Sequence, residues 1–330
     1  MKHLKTYQLF EAKTGLTKNQ EDFLDKYTRG TWSYNPATGL VDVRGYFQCR
    51  GKDLEDFVGI KFGKVDGDFN CKQNNLTSLE GAPQKVDGHF DCSENKLTSL
   101  EGAPQEVGED FRCYDNNLTS LEGAPKVVGE DFDCSENKLT SLKGAPKVVG
   151  EDFDCSENKL TSLAGAPQKV GGYFRCYENK LTSLEGAPQE VGGGFNCKQN
   201  NLTSLEGAPQ EVDGYFDCSS NNLTSLAGAP QEVGGDFECD AFVLEKEEWN
   251  PKGWLKVLRE GSPEAQKLIP TIFSAEELNK QIQKDPTGMI MKLKEVWNDD
   301  DFKETRSKLV WPKGYGDSAE LVGDLDDVGF

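Results

Sequence analysis

The pattern of apolar and polar residues along this chain repeats every 21 residues. The unit FxCxxNxLTSLxGAPxxVxxx recurs at that interval, beginning at Phe69, Phe90, Phe111, Phe132, Phe153, Phe174, Phe195 and Phe216. A degenerate unit opened by Phe47 precedes the series, and a truncated one opened by Phe237 follows it. A fixed period of this length is typical of solenoids, in which each unit packs only against its neighbours. We number the units as coils 1 to 10, from the coil of Phe47 to the coil of Phe237.

The pattern inside each unit predicts one strand per coil. Phe and Cys stand two residues apart, so both side chains point into the core while the residues beside them face solvent. The two leucines of LTSL and the valine before the next Phe close the core from the other side, and Gly-Ala-Pro turns the chain. The asparagine three residues after Cys ends the strand. Its buried amide is expected to satisfy turn backbone groups of neighbouring coils.

The N-terminal flank carries the signals of a helical cap. Thr17 and Gln20 form a capping-box pattern that predicts a helix through about Tyr27, with Phe23 and Leu24 on its apolar side. The stretch GLVDVRGYFQC then alternates like the first strand of the array. A solenoid needs such caps because its terminal coils would otherwise expose apolar edges.

Beyond Cys239 the composition changes to that of a small helical domain. Asn250-Pro251, Ser262-Pro263 and Asp285-Pro286 each resemble an N-cap followed by proline at the first helical position. Ser274 and Glu277 make a further capping box. We therefore predict an N-terminal helical cap over residues 1–42, the solenoid over 43–244, and a C-terminal helical domain with an acidic tail over 245–330.

All ten cysteines occupy the same position of the repeat. Neighbouring strands lie about 4.8 Å apart, which puts the Cβ atoms of adjacent cysteines slightly beyond bridging distance. We expect the cysteines to be small buried hydrophobes. A metal array or a redox ladder would require nearby histidines or CxxC spacing, and the repeat has neither.

At these residues a family resemblance becomes visible. FDCSENKLTSL resembles the strand and asparagine turn of a leucine-rich repeat, and the short period with LTSL before proline is most similar to the bacterial-effector type, over about residues 43–244. The resemblance implies an α/β solenoid: a right-handed superhelix of 21-residue units with a parallel concave sheet, an N-terminal helical cap and a small C-terminal helical domain.

A second resemblance is carried by the repeat sequence LTSLEGAPxxVGGDFDCSxNxLTSL, the opening MKHLKTYQLFE and the closing TRSKLVWPKGYGDSAELVGDLDDVGF. These segments are similar to leucine-rich-repeat proteins of tailed bacteriophages, a resemblance that implies no particular activity. The start, KTYQLFEA, is similar to the capsid-targeting peptides of phage internal proteins, and Leu9-Phe10-Glu11 would fit their cleavage triplet. This leaves a virion-packaged internal protein as one alternative.

The net charge of the chain limits the kinds of molecule that it is expected to bind. The net charge is −20, and residues 69–240 hold 29 acidic against 13 basic groups. Acidity of this size disfavours direct binding to nucleic acid or anionic lipid and permits a basic partner. The chain has no long apolar run, so we expect no membrane span and a cytoplasmic protein.

The residues that differ between coils and are expected to face outward are the candidates for binding. An acidic centre that includes Asp133 and Asp154 is predicted to lie between rows of arginine and tyrosine, side chains that often dominate interface energetics. The candidate partner-binding residues are Arg112, Tyr114, Asp133, Asp154, Tyr173, Arg175, Tyr177, Lys198 and Tyr215. The alternative is that duplication copied a soluble surface whose alternating charges merely offset repulsion across strands.

Catalysis and cofactor binding find little support in the sequence. Asp131, Asp133, Asp152 and Asp154 would project close together, but we expect an open, water-filled face without the enclosure that shifts a pKa. The two histidines, His3 and His89, assemble no triad or zinc motif by spacing. The sequence thus predicts no enzyme, no cofactor and no metal.

The leading hypothesis is a non-enzymatic, phage-encoded scaffold that binds a bacterial host protein in the cytosol of the infected cell. The alternative from another class is an acidic nucleic-acid mimic that occupies a DNA-binding host protein. Carboxylates repeated every 4.8 Å or so favour mimicry, whereas Arg112, Arg175 and Lys198 interrupt them.

Overall fold

The structure, a computed structural model, describes residues 15–240, 242–244, 251–260, 263–266, 268 and 275–312. The chain divides into two units, Met1–Arg175 and Cys176–Phe330. The triplet Leu9-Phe10-Glu11 and the acidic tail lie outside the described residues.

The first unit opens with the predicted cap and an unpredicted hairpin. Helix α1 spans Lys18–Tyr27, and the Thr17 capping box is formed as predicted. Strand β1 (Thr28–Asn35) pairs antiparallel with strand β2 (Leu40–Gln48), which is the predicted first strand of the array. The rings of Phe23 and Tyr27 lie 5.7 and 6.2 Å from the ring of Phe47, so α1 covers the apolar end of coil 1.

Each coil contributes two short strands, not the single strand that the Phe-x-Cys pattern predicts. One begins at the coil's phenylalanine, and the other ends at the buried valine before it. The valine strand was missed because only one of its two residues is apolar and buried, which is too short a pattern to show alternation. Both sets form parallel ladders from coil to coil, which makes this unit a parallel β-solenoid with a 21-residue period.

In the first unit the phenylalanine strands are Phe69–Asn70, Phe90–Asp91, Phe111–Arg112, Phe132–Asp133, Phe153–Asp154 and Phe174–Arg175. The valine strands are Phe62–Val65, Lys85–Val86, Glu106–Val107, Val127–Val128, Val148–Val149 and Lys169–Val170.

Stacked phenylalanine rings form the centre of the core. From Phe69 to Phe174 the ring centroids of successive coils lie 5.2 to 5.6 Å apart, and the rings are nearly parallel. These side chains and the paired leucines are fully buried. Each such side chain removed from water contributes about 2 to 3 kcal/mol, so the repeated residues are accounted for by packing.

The asparagine row joins the coils as predicted. The Nδ2 of Asn95 donates to the carbonyl oxygens of Cys92, Ser93 and, one coil back, Cys71, at 3.0 to 3.1 Å. Its Oδ1 accepts the backbone N–H of Leu76 at 3.0 Å. Equivalent bonds recur at Asn116, Asn137 and Asn158. Buried backbone groups at the strand ends are thereby satisfied.

Two backbone features shape each turn. The residue before the asparagine has a left-handed conformation in every regular coil; Glu136, for example, has φ of 50°. Gly123 of the Gly-Ala-Pro turn has φ of +94°, and a Cβ there would lie 2.6 Å from the carbonyl carbon of Leu100. Only glycine fits that second position, because both the conformation and the close approach exclude a side chain.

The cysteines are free and buried, as predicted. Several lie against a carbonyl of the following coil, as Cys134 does, with its Sγ 3.2 Å from the oxygen of Asp154. Burial raises the pKa of the Cys134 thiol well above its usual value. These thiols are therefore core groups without thiolate reactivity.

The second unit continues the same coil pattern within itself. Its phenylalanine strands are Phe195–Asn196, Phe216–Asp217 and Phe237–Cys239, and its valine strands are Glu190–Val191, Glu211–Val212 and Glu232–Val233. Phe242–Leu244 pairs antiparallel with the last phenylalanine strand. The predicted solenoid of 21-residue coils is thus confirmed in each unit.

Helices follow at Pro251–Glu260, Pro263–Gln266, Ala275–Lys284, Pro286–Leu293 and Lys303–Arg306, with a 3-10 turn at Lys294–Val296. Three begin at the predicted prolines, and Asp285 caps its helix by accepting the N–H of Gly288. The other predicted cap residues, Asn250, Ser262 and Ser274, lie outside the described residues. Trp254 packs 5.4 Å from the ring of Phe237, which covers the end of coil 10.

Among the described helices, none has both the length and the apolar character required to cross a membrane.

Candidate functional site

The candidate site is the outward side of the phenylalanine strands in the first unit. The residue between Phe and Cys alternates out of the core, and the parallel register places Arg112, Asp133, Asp154 and Arg175 beside one another on successive coils. We call these four residues the central row. Because the strands are in register, side chains 21 residues apart in sequence become neighbours about 4.8 Å apart.

Short acidic side chains in this position turn back toward the backbone. The Oδ1 of Asp133 accepts the N–H and the hydroxyl of Ser135 at 3.0 and 2.6 Å. Asp154 makes the same two bonds to Ser156, at 2.9 and 2.5 Å. This local bonding competes with projection into solvent, and both aspartates are therefore half-buried.

The prediction that the residues beside Phe and Cys face solvent is wrong at several positions. Asp91, Asn196 and Asp217, which lie between Phe and Cys, are buried, as are Ser93 and Ser156 just after Cys. The cause at Asp91 and Asp217 is the same bond to the backbone N–H two residues on.

The residues immediately before Phe form a second row with a structural role that the sequence did not reveal. The Oδ1 of Asp110 accepts the backbone N–H of Asp131, and the Oδ1 of Asp131 accepts that of Asp152, at 3.1 and 3.0 Å. Asp152 in turn accepts the N–H of Tyr173 at 2.8 Å. These carboxylates join consecutive coils, and Asp110 is almost fully buried.

Both arginines of the central row pair with this second row. Arg112 donates from Nη2 to Asp110 Oδ2. Arg175 donates from Nη1 to Asp152 Oδ2 at 2.9 Å. The two guanidinium groups are therefore held in place, half-buried, at either end of the central row.

The tyrosines predicted as anchors stack with cations of the chain itself. Lys72 Nζ lies 4.5 Å from the ring centroid of Tyr114, two coils away, and contacts its hydroxyl. Lys72 also pairs with Glu94 at 2.7 Å, which lowers the pKa of that carboxyl. Arg175 lies 4.9 Å from the ring of Tyr173, a side chain that is 39% exposed. Lys72 was missed as a site residue because its position gives no sign that the side chain reaches across two coils.

The second unit holds the remaining three candidates. Lys198 Nζ lies 5.5 Å from the ring centroid of Tyr177. The ring of Tyr215 lies over Gly194, where a Cβ would come within 2.6 Å of it. All three side chains are half-buried.

The acidic centre is less solvated than the sequence suggested. Burial raises the pKa of the Asp133 carboxyl. Burial also raises the pKa of Asp154 to about 6, and repulsion from Asp133 adds to this shift, while the hydrogen bonds from Ser156 oppose it. The expectation that the carboxyl groups of this face have unshifted pKa values is therefore wrong at Asp133 and Asp154. The turned-back carboxyl groups lie against the backbone and lose part of their hydration.

His89 lies among carboxylates whose proximity could not be predicted from their spacing in the sequence. Atoms of His89 lie within 4.8 Å of two pairs of possible ligands, Asp68 with Glu109 and Asp110 with Glu130. The ring already has partners: Nδ1 accepts the N–H of Asp110 at 3.3 Å, and Nε2 lies 2.8 Å from Glu109. Hydrogen bonding within the chain accounts for this cluster.

Comparison with known proteins yields structural likeness only. No family model and no curated protein matches the chain. YopM from Yersinia enterocolitica WA-314 is similar with a TM-score of 0.38 and 21% identity, over 60% of this chain and 52% of that one. The functional domain of InlJ from Listeria monocytogenes, which includes a cysteine ladder, is similar with a TM-score of 0.33 and 20% identity, over 55% of this chain and 45% of that one. The chain thus spans about half the length of each.

Neither of these proteins comes from a bacteriophage, so the resemblance to phage proteins stays a prediction. The 21-residue coil, the parallel strand ladders and the buried asparagine row are features of the chain itself. On these features the chain has the leucine-rich-repeat solenoid fold.

Proposed function

We propose that the chain is a non-enzymatic protein-binding scaffold whose binding surface is the central row with Tyr173, and that Asp110 and Asp152 hold the arginines of the row in place. The observation that supports this proposal is that different positions of each coil have different roles. The repeated Phe, Cys, Leu and Val residues are buried, whereas charged residues that differ between coils lie in register on one side of the sheet.

The internal pairing of these side chains favours recognition. Arg112 and Arg175 are held by carboxylates, and the Tyr173 ring lies against Arg175. Side chains that are already ordered lose less conformational entropy when a partner binds. Tyrosine and arginine held in this way are the residue types that most often dominate protein interfaces.

A scaffold also suits the chemistry of the described residues better than an enzyme does. The cysteines are buried with raised thiol pKa values, as at Cys155, and so lack the exposed thiolate that a nucleophile requires. His89, the only histidine within the described residues, is engaged with Glu109 and Asp110.

The partner class follows from the sequence resemblance to phage repeat proteins. We propose a bacterial host protein as the first partner to test, with binding in the cytosol of the infected cell. An acidic nucleic-acid mimic is the competing function. Arg112 and Arg175 weigh against it, because a phosphate-like row would not carry guanidinium groups at both ends.

The test is affinity capture from bacterial lysate with quantitative mass spectrometry. The double variant Arg112→Ala/Arg175→Ala should reduce recovery of the specific partner by more than about tenfold, the loss expected when hot-spot residues are removed. The matched control is Lys126→Ala/Lys147→Ala, which removes two exposed cations from the loops of coils 4 and 5. Equal recovery with both double variants would refute the proposed surface.

Salt dependence separates the two functions. A mimic, which binds through carboxylates alone, should lose affinity steeply between low and moderate salt, whereas a surface of mixed charges with Tyr173 should lose less. A DNA-binding protein captured only at low salt would support mimicry.

A further inference from the structure

Two exposed valines lie next to each other in the ladder of valine strands of the first unit. Val127 and Val148 are 58% and 56% exposed, whereas Val128 and Val149, which follow them, are buried. Val128 pairs with Val149 in the parallel ladder, so the two exposed side chains are neighbours on adjacent coils. We call Val127 and Val148 the valine pair.

Strand formation does not account for the valine pair. The preference of valine for strands is not required at this position, because other coils form the same strand with a charged residue there. Those residues are Lys85, Glu106, Lys169, Glu190, Glu211 and Glu232. Adjacent apolar side chains that are exposed among charged ones instead indicate a surface that another molecule covers.

The charged residues on either side of the valine pair have opposite signs. In the ladder Glu106 is the neighbour of Val127, and Lys169 is the neighbour of Val148. The row therefore reads Glu106, Val127, Val148, Lys169 along successive coils. When the row is read from its other end, a positive charge stands where the first reading has a negative one. This surface is therefore complementary to itself.

We propose that the valine pair is the centre of a symmetric interface with a second copy of this chain. A two-fold axis parallel to the strands, midway between the two valine strands, reverses the order of the coils in the second copy. Val127 then faces Val148 of the second copy, and Glu106 faces Lys169 of the second copy. An axis along the stacking direction would instead set Glu106 against Glu106, so the charges select the first arrangement.

The interface is small, and we expect a weak dimer. Glu106 already pairs with Lys85 of its own chain at 2.7 Å, but both side chains are exposed and such a pair contributes little. Lys126 and Lys147, one residue before the valine pair, are exposed and would face each other across the interface. For so few favourable contacts we expect a dissociation constant of about 10 to 100 μM. The surface is separate from the central row, so this inference goes beyond the proposed function and does not depend on it.

Sedimentation equilibrium of the full chain in reducing buffer, between about 2 and 500 μM, measures the self-association. The parent chain should show a monomer–dimer equilibrium. Val127→Thr/Val148→Thr keeps the branched Cβ that suits a strand and should raise the dissociation constant by about tenfold or more. Equal urea midpoints of parent and variant, at a concentration where both are monomeric, verify that the variant is folded.

Charge exchange tests the orientation of the two copies. Glu106→Lys should raise the dissociation constant by about tenfold, because it sets a lysine against Lys169 of the second copy, although the lower net charge by itself favours association. Glu106→Lys/Lys169→Glu keeps the net charge and should restore the dissociation constant to within about threefold of the parent value. The matched control is Glu232→Lys, the same change at the same strand position of coil 9, which should not weaken association.

A parent chain that stays monomeric at the highest concentration would overturn the inference. A dimer that the threonine variant leaves unchanged, or an exchange variant that associates no better than Glu106→Lys alone, would overturn it as well. The proposed function is tested separately, because Arg112→Ala/Arg175→Ala should leave the dimer unchanged while it reduces capture of the host protein.

Discussion

Asp133 and Asp154 lie side by side on neighbouring parallel strands, and each accepts the same two hydrogen bonds from the serine two residues farther along its own coil. The serine bonds fix the carboxyl groups at the edge of the core, where water is partly excluded. The framework therefore holds two negative charges together at a cost to its own stability.

Because of that cost, we predict that the stability of the fold depends on pH in an unusual direction. The folded-state pKa of Asp154, about 6, exceeds its usual value of 3.8, so the folded chain binds the proton more tightly than the unfolded chain does. The stability that comes from protonation of Asp154 is fully present below pH 3.8 and is lost as the pH rises through about 6. Asp154→Asn should remove this dependence and stabilise the fold at pH 7 by on the order of 1 kcal/mol, after a discount for screening.

Urea unfolding of both proteins at pH 5 and at pH 7.5 or so measures this difference. The gap in unfolding free energy between variant and parent should be larger at the higher pH. A gap that is the same at both pH values would show that Asp154 titrates normally. Asp213→Asn, a substitution at an exposed aspartate in the second unit, is the control.

The asparagine row should dominate the stability of the turns. Asn137→Ala removes an amide that donates to Cys113, Cys134 and Ser135 and accepts from Leu118. Leaving these buried backbone groups unsatisfied should cost about 3 kcal/mol or more, measured by urea unfolding. Asn117→Ala changes the same residue type at a half-buried site bonded to Lys138 and should cost less than about 0.5 kcal/mol. Similar losses for both would contradict the assigned role.

The left-handed residue before each asparagine is a site for stabilisation. Glu136 is exposed and has φ of 50°, a conformation in which its Cβ is crowded by the backbone. Glu136→Gly should raise the unfolding free energy by about 0.5 to 1 kcal/mol, despite the greater freedom of glycine in the unfolded chain. Glu136→Ala, which keeps the Cβ, should show no such gain. A destabilised glycine variant would mean that the glutamate side chain compensates for the strain.

The thiols should report global unfolding. All ten cysteines are free and buried, and burial raises the pKa of Cys49, in the first coil, to about 12. At pH 8 or so the native chain should react with a disulfide reagent only as fast as it unfolds, and fully in denaturant. Rapid labelling of any thiol under native conditions would show that its coil opens locally.

The repeated residues of the coil could be assigned from the sequence because their roles recur at one spacing. Phe, Cys, Leu and Asn meet the same environment in each coil, so one pattern fixes all of them. The valine strand and the β1–β2 hairpin were not predicted, since their pairing depends on contacts between segments whose own patterns are short or irregular.

The outward residues were harder to assign, because a position in a strand fixes the direction of Cβ but not the course of the side chain. Asp110 and Asp131 bend back to the backbone of the next coil, and Lys72 reaches across two coils to Tyr114. Such choices depend on distances that appear only once the coils are stacked.

The asparagine bonds run in one direction, since each amide serves its own coil and the one before it. At the end of the array, the carboxylate of Asp240 in coil 10 accepts the N–H groups of Ser220 and Asn221 in coil 9, where the earlier coils use a backbone carbonyl. Because the joint between coils is the same throughout each unit, unequal recombination can add or delete a whole 21-residue segment without disturbing the joints that remain. The order of charges along the surface can therefore change when a whole coil is inserted or deleted, without successive point substitutions.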